Sequence, residues 1–187
     1  MPVDRPSRRA VMAGLAALPF GELAAAPPRA MPRTLVVYFS RSGNTRVIAG
    51  VIERAQQADL FEIRPARAYP ADYFETVEQA RQQRDRGDLP PLAGKLASLD
   101  GYDTVYLGFP VWGETVPPAV RTLLSLHDWQ GKTLIPFITH GGYGPGDCQA
   151  QLAKRAPGAT IRPAFVMEAD QERRTTTSVT TWLKTID

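Results

Sequence analysis

The sequence predicts an α/β domain whose parallel sheet is covered by helices on both faces. Three observations support that expectation. Unbroken apolar runs such as Leu35-Val36-Val37-Tyr38-Phe39 suit strands buried on both sides. Stretches with helical spacing separate those runs, which argues strand–helix–strand units. The chemically unusual loops follow the first, third and fourth runs, and sheets of this kind bind ligands outside the carboxyl ends of their strands.

Leu35 to Phe39 is the first strand. Arg46 to Gln57 follows as a helix with Val47, Ile48, Val51, Ile52 and Ala55 on one apolar stripe. Leu60 to Ile63 reads as the second strand, and a polar helix is expected from Tyr73 to Arg86. A proline-containing loop, Asp88 to Gly94, leads to the third strand, Thr104 to Gly108. Pro117 to Leu126 is a helix with both prolines in its first turn, where a missing N–H is tolerated. The fourth strand, Thr133 to Thr139, contains Pro136, which lacks a ladder donor and predicts an irregularity. Asp147 to Ala156 is a helix, Thr160 to Val166 a weak fifth strand, and Thr177 to Ile186 the closing helix.

Residues 1–30 do not read as fold. Arg5, Arg8 and Arg9 give a basic start, and Ser7-Arg8-Arg9-Ala10-Val11-Met12 resembles the twin-arginine export motif. The apolar stretch from Ala10 to Phe20 is too short for a permanent span, and Ala24-Ala25-Ala26 offers a cleavage site. The expectation is an export leader over residues 1–30, a domain over 31–187 and a periplasmic protein with no stable membrane span after the leader is removed. Translation from Met31 would instead leave a cytoplasmic protein.

Composition narrows the partners. A net charge of +3, with basic residues scattered rather than in a tract, gives nucleic-acid binding little support. It is also unlike a strongly acidic carrier that docks on a basic partner. Cys148 is the lone cysteine, which rules out an intramolecular disulfide and reads as a small buried hydrophobe. His127 and His140 lack metal-site spacing, so no metal is expected.

The loop Ser40-Arg41-Ser42-Gly43-Asn44-Thr45 joins a buried strand to a helix. Helix N-termini present unpaired N–H groups and favour anions, and Ser40, Ser42 and Thr45 add hydroxyl donors. Gly43 lets the backbone come close to a phosphate. It is neither a Walker loop nor a dinucleotide fingerprint. It resembles the FMN-phosphate loop of flavodoxins, although an ordinary connection capped by Ser42 or Thr45 has the same residues. Arg41 is read either as a screen for the phosphate or as a solvated side chain.

After the third strand comes Gly108-Phe109-Pro110-Val111-Trp112-Gly113-Glu114-Thr115, where packing alone poorly explains Trp112 between glycine and proline. A Trp can stack on a flat ring at low conformational cost. Leu107-Gly108-Phe109-Pro110-Val111-Trp112 resembles a bacterial flavodoxin-like family. So do Ala68-Tyr69-Pro70-Ala71-Asp72-Tyr73, the helix start from Pro117, and Ile135-Pro136-Phe137-Ile138-Thr139-His140-Gly141-Gly142. The similarity runs from about Thr34 to Val166. That family often has two adjacent tryptophans before the glycine; here Trp112 meets Gly113 and Glu114 directly. An inward Glu114 would lower the flavin potential, whereas a solvent-facing one would not.

The resemblance implies a flavodoxin-like fold, a five-stranded parallel sheet in order 2-1-3-4-5, and FMN as cofactor. It places the phosphate on Ser40 to Thr45 and the ring beside Pro110, Val111, Trp112 and Gly113. The glycine-rich loop supplies His140, Gly141, Gly142 and Tyr143, with Tyr143 either on the second ring face or exposed. The implied function is electron transfer to or from a redox partner protein or a small acceptor. An FMN-dependent reductase of a small substrate such as a quinone, or a flavin-binding module without redox role, are the alternatives. No residue reads as an independent acid, base or nucleophile.

Overall fold

The computed structural model describes residues 33–169 and 172–186; the expected leader lies outside them. In chain order the elements are β1 (Arg33–Tyr38), α1 (Asn44–Gln56), β2 (Asp59–Glu62), α2 (Tyr73–Arg86), β3 (Tyr102–Pro110), α3 (Pro118–Leu126), β4 (Thr133–His140), α4 (Cys148–Arg155), β5 (Thr160–Ile161), β6 (Phe165–Glu168) and α5 (Glu172–Leu183). The strands form one sheet in the order β2-β1-β3-β4-β5, with β6 also pairing β4, and every pairing is parallel.

Strand alternation divides the core into two layers. Leu35, Val37, Leu107, Phe109 and Ile138 pack with α3 and α4 on one face. Val36, Tyr38, Tyr106 and Phe137 pack with α1 and α5 on the other. Trp129, fully buried after α3, anchors that helix by donating its indole N–H to the Leu124 carbonyl at 2.9 Å.

The expected fifth strand is two short ones. Arg162-Pro163-Ala164 interrupts it, so β5 pairs the start of β4 and β6 pairs its end. Pro136 consequently breaks nothing: its register with Leu107 is regular. The Leu134 carbonyl points outward, accepting from Arg162 N–H, so two residues on the Pro136 nitrogen also faces outward, into the gap between β5 and β6.

The buried face of α1 is also turned from the expected stripe. Thr45, Ile48, Ala49, Val51 and Ile52 are buried, whereas Val47 and Ala55 are exposed. The helix starts two residues earlier than expected, and its small and hydroxyl residues fit closest to the sheet. The closing helix begins at Glu172 rather than Thr177.

Candidate functional site

β1, β3 and β4 end at the same rim of the sheet, and the loops that follow them converge there. The loop after β1 is shaped by its own side chains. Ser40 Oγ accepts the Gly43 N–H at 3.1 Å, and Gly43 takes φ 100°, a conformation for which glycine has no steric penalty. The Gly43 carbonyl then accepts from Val47 and begins α1. No side chain caps that helix start, and its first turn holds no acidic residue. The positive end of α1 is therefore free of any carboxylate of its own.

Beside it lies a cavity of about 450 Å³. Arg41, Ser42 and Asn44 line it from the first loop, Pro110, Val111, Trp112 and Gly113 from the second, and Thr139, His140 and Gly141 from the end of β4. Ser40, Gly43 and Thr45 shape the first loop without lining the cavity. Thr45 is 1% exposed, and its hydroxyl shares a 2.9 Å hydrogen bond with that of Thr139. Arg41 donates to the Ala71 carbonyl at 2.6 Å, tying the loop to the segment before α2.

Trp112 stands edge-on to Phe39 and Tyr69, with ring centroids 5.1 and 4.7 Å away. This aromatic cluster fixes one wall. Tyr69 donates its hydroxyl to Gln83 at 2.8 Å, and burial pushes that hydroxyl up to about 12. His140 Nδ1 accepts the N–H groups of Gly142 and Gly144 at 3.1 and 3.2 Å, which puts the ring proton on Nε2 and folds the glycine loop around the imidazole. Gly142 and Tyr143 do not line the cavity, and Tyr143 is 92% exposed.

The second and third loops are stitched together. Val111 N–H donates to the Thr139 carbonyl at 2.8 Å, and Asp147 N–H to the Glu114 carbonyl at 2.9 Å. Gly146 packs so closely there that a Cβ would lie 2.0 Å from the Glu114 oxygen. Glu114 itself lines a neighbouring cavity, not this one.

The fourth wall is one that sequence reasoning missed. Tyr73, Thr76, Val77, Ala80, Arg81 and Arg84 line the cavity along one face of α2. Their spacing is helical, but the sequence reading assigns Tyr73 to Arg86 only a polar helix and no part in the site. The donor set suits a phosphorylated planar ligand: an uncapped helix N-terminus with Ser42 and Asn44 at one side, and apolar and aromatic walls around Trp112 at the other. Among the described residues no cluster of His, Cys, Asp and Glu could hold a metal, and no helix is long and apolar enough to cross a membrane.

A family model described as Flavodoxin matches residues 33–186. A protein of Bacteroides uniformis ATCC 8492 described as a flavoprotein is 30% identical, with a TM-score of 0.73 over 82% of this chain and 98% of that one. A flavoprotein from Lactobacillus acidophilus NCFM, solved in complex with FMN, shares the fold at 22% identity, with a TM-score of 0.61 over 78% of this chain and 99% of the other. An NAD(P)H-dependent FMN reductase of Schizosaccharomyces pombe is 34% identical over 77 residues, 40% of this chain. That match spans 36% of the relative's length.

Proposed function

The chain belongs to the flavodoxin family, and from that premise we propose that it binds FMN and passes electrons to or from a partner protein or a small acceptor. The observation that carries this reading is the uncapped start of α1 opening beside a cavity with aromatic and apolar walls at the carboxyl end of the sheet. Ser42, Asn44 and the first-turn N–H groups of α1 would hold the phosphate. Pro110, Val111, Trp112 and Gly113 would flank the ring, with His140 and Gly141 at its edge. When bound, the flavin supplies the electron chemistry.

The protein's own part is positioning. Ser40 and Gly43 hold the phosphate loop open, Arg41 pins it to Ala71, and the Phe39–Tyr69–Trp112 cluster keeps one wall dry. His140 orders the glycine loop through two accepted hydrogen bonds. No acid, base or nucleophile is needed for this work.

A second reading, an FMN-dependent reductase of a small substrate, is favoured by the similarity to the yeast reductase, which is confined to part of both chains. The visible spectrum of the purified protein tests the shared premise: extractable FMN and a flavin absorption band are expected, and a colourless protein that ignores added FMN overturns both readings. Reducing the flavin with dithionite and then reoxidising it with a quinone or with a one-electron acceptor protein separates them.

For location, the reading is export through a twin-arginine leader, supported by the order of Arg8-Arg9, the apolar stretch and the small residues before Pro27. Residues 1–30 fused to a reporter should carry it across the membrane, and Arg8→Lys with Arg9→Lys should stop it. Export indifferent to that pair of changes would sink the proposal.

A further inference from the structure

Beside the loop 113–115, sharing Arg84 and Gly113 with the cavity assigned to the flavin, lies a second cavity of about 700 Å³. Three arginines line it: Arg84 from α2, Arg121 from α3 and Arg155 from α4. Arg121 is only 5% exposed, and its Nε and Nη2 atoms are buried with no hydrogen-bond partner. A guanidinium keeps its charge under protein conditions, so an unpaired buried one is expensive and awaits an anion. Burial first, then repulsion from Arg155, push its pKa downward against attraction from Tyr69 and Asp88, neither of which hydrogen-bonds its buried Nε or Nη2.

The carboxylates nearby do not fill that role. Asp88 attracts Arg121 but does not line this cavity and makes no ion pair with it; Glu114 and Asp147 line the cavity, yet neither forms an ion pair with Arg121 or Arg155 among the described residues. Asp147 accepts from Gln151 Nε2 at 2.8 Å, and Arg155 Nε makes only a long 3.3 Å contact to Gln151 Oε1. Arg84 is turned to the Gly113 carbonyl and to Asp85. Three guanidinium groups thus face two carboxylates, and the deepest guanidinium presents a planar fork of donors.

We propose that this cavity is a binding site for a small oxyanion, a carboxylate or phosphate group, held by Arg121 with Arg155. The recessed position of Arg121 suits a small molecule better than an acidic protein surface. Arg84 and Gly113 border both cavities, so a ligand anchored here by its charged end extends toward the flavin cavity. That last step, an anionic small-molecule redox substrate, rests on the flavin reading; the oxyanion site itself does not.

The test is calorimetric titration of the full FMN-loaded chain with inorganic phosphate and, separately, with malonate. One saturable site is expected for at least one ion. Arg121→Met should weaken it at least tenfold and Arg155→Gln several-fold, with FMN affinity unchanged within about twofold. Tighter binding of phosphate assigns a phosphoester ligand, and tighter binding of malonate a carboxylate. No saturable binding of either ion, or the same affinity in both variants, overturns the site. Arg155→Gln, at a less buried position, keeps the test decisive if Arg121→Met does not fold. If the chain takes no FMN, the same titrations run on the flavin-free protein. Phosphate binding that then follows Ser42→Ala and ignores Arg121 belongs to the first loop and overturns the proposal here.

Discussion

The two helices that border the main cavity begin in opposite ways. α2 is closed by its own residues: Asp72 accepts the Glu75 N–H at 2.9 Å, and Glu75 adds an acid to the first turn. α1 has glycine at the same position, no capping side chain and no acid. A cap and an acid in the first turn satisfy part of a helix start from within and make it less receptive to an external anion. One helix start is thus capped and the other is not. On the reading proposed above, the difference separates a wall from a binding element.

The strongest way to break the contrast is to give α1 an acid of its own. Ser42→Asp should weaken FMN binding by about 2–4 kcal/mol, the size of a like-charge contact near a protein surface. The flavin-free protein should melt no lower, because a carboxylate at a helix N-terminus is favourable by about 0.3–1 kcal/mol. Flavin-fluorescence titration and thermal melts read the two effects separately. Unchanged affinity would remove α1 as the phosphate site.

A smaller change sharpens the roles within the loop. Ser42→Ala should cost about 1.5–3 kcal/mol of FMN affinity, the range for a hydrogen bond to a charged group. Thr45→Ala should act instead on stability, by about 1 kcal/mol, since its hydroxyl is paired with Thr139 inside the protein. Equal losses of affinity in both variants would mean that Thr45 also reaches the ligand.

For α2 the expectation reverses. Asp72→Ala removes a cap and should lower stability by about 1 kcal/mol. FMN affinity should stay within a few-fold. A large loss of affinity would show that the start of α2 takes part in binding directly.

Another helix start at this rim, α4, offers the smallest effect. A thiol at a helix N-terminus is often acidified. Burial and then Asp147 instead push Cys148 up to about 12 from 9.0. The folded state therefore keeps a proton that the unfolded state releases, so this contribution is whole below pH 9 and is lost as pH rises toward 12. Cys148→Ala should flatten the alkaline decline in the denaturation midpoint, and Cys148 should resist alkylation at neutral pH. Rapid labelling of the native protein would contradict its burial.

Much of this was legible in the sequence because long apolar runs are hard to misread. β1, β3 and β4 follow from them, and α2 was expected over the residues it occupies, Tyr73 to Arg86. The two-strand break around Pro163 was hidden by a run too short and weak to show where pairing stops. Val47 and Ala55 misled because apolar character does not reveal which side of a helix touches a sheet. The cavity-lining face of α2 was illegible for a related reason. On that face Tyr73, Val77 and Ala80 are interleaved with Thr76, Arg81 and Arg84, so the apolar row is short and broken by polar residues. Arg121 was missed because a lone arginine in an apolar helix carries no sign of its burial.

The stitching of the second and third loops has a consequence for electron flow. Trp112 and Gly141 belong to different loops, but the hydrogen bonds from Val111 to Thr139 and from Asp147 to Glu114 make those loops one body. The near-contact at Gly146 leaves no slack between them. Were the flavin ring held between these walls, as proposed above, the dipoles around an arriving charge would already be set and have little distance to travel. On that reading rigidity at the rim would act on rate rather than on affinity, by keeping the reorganisation that accompanies each electron small in both directions of transfer.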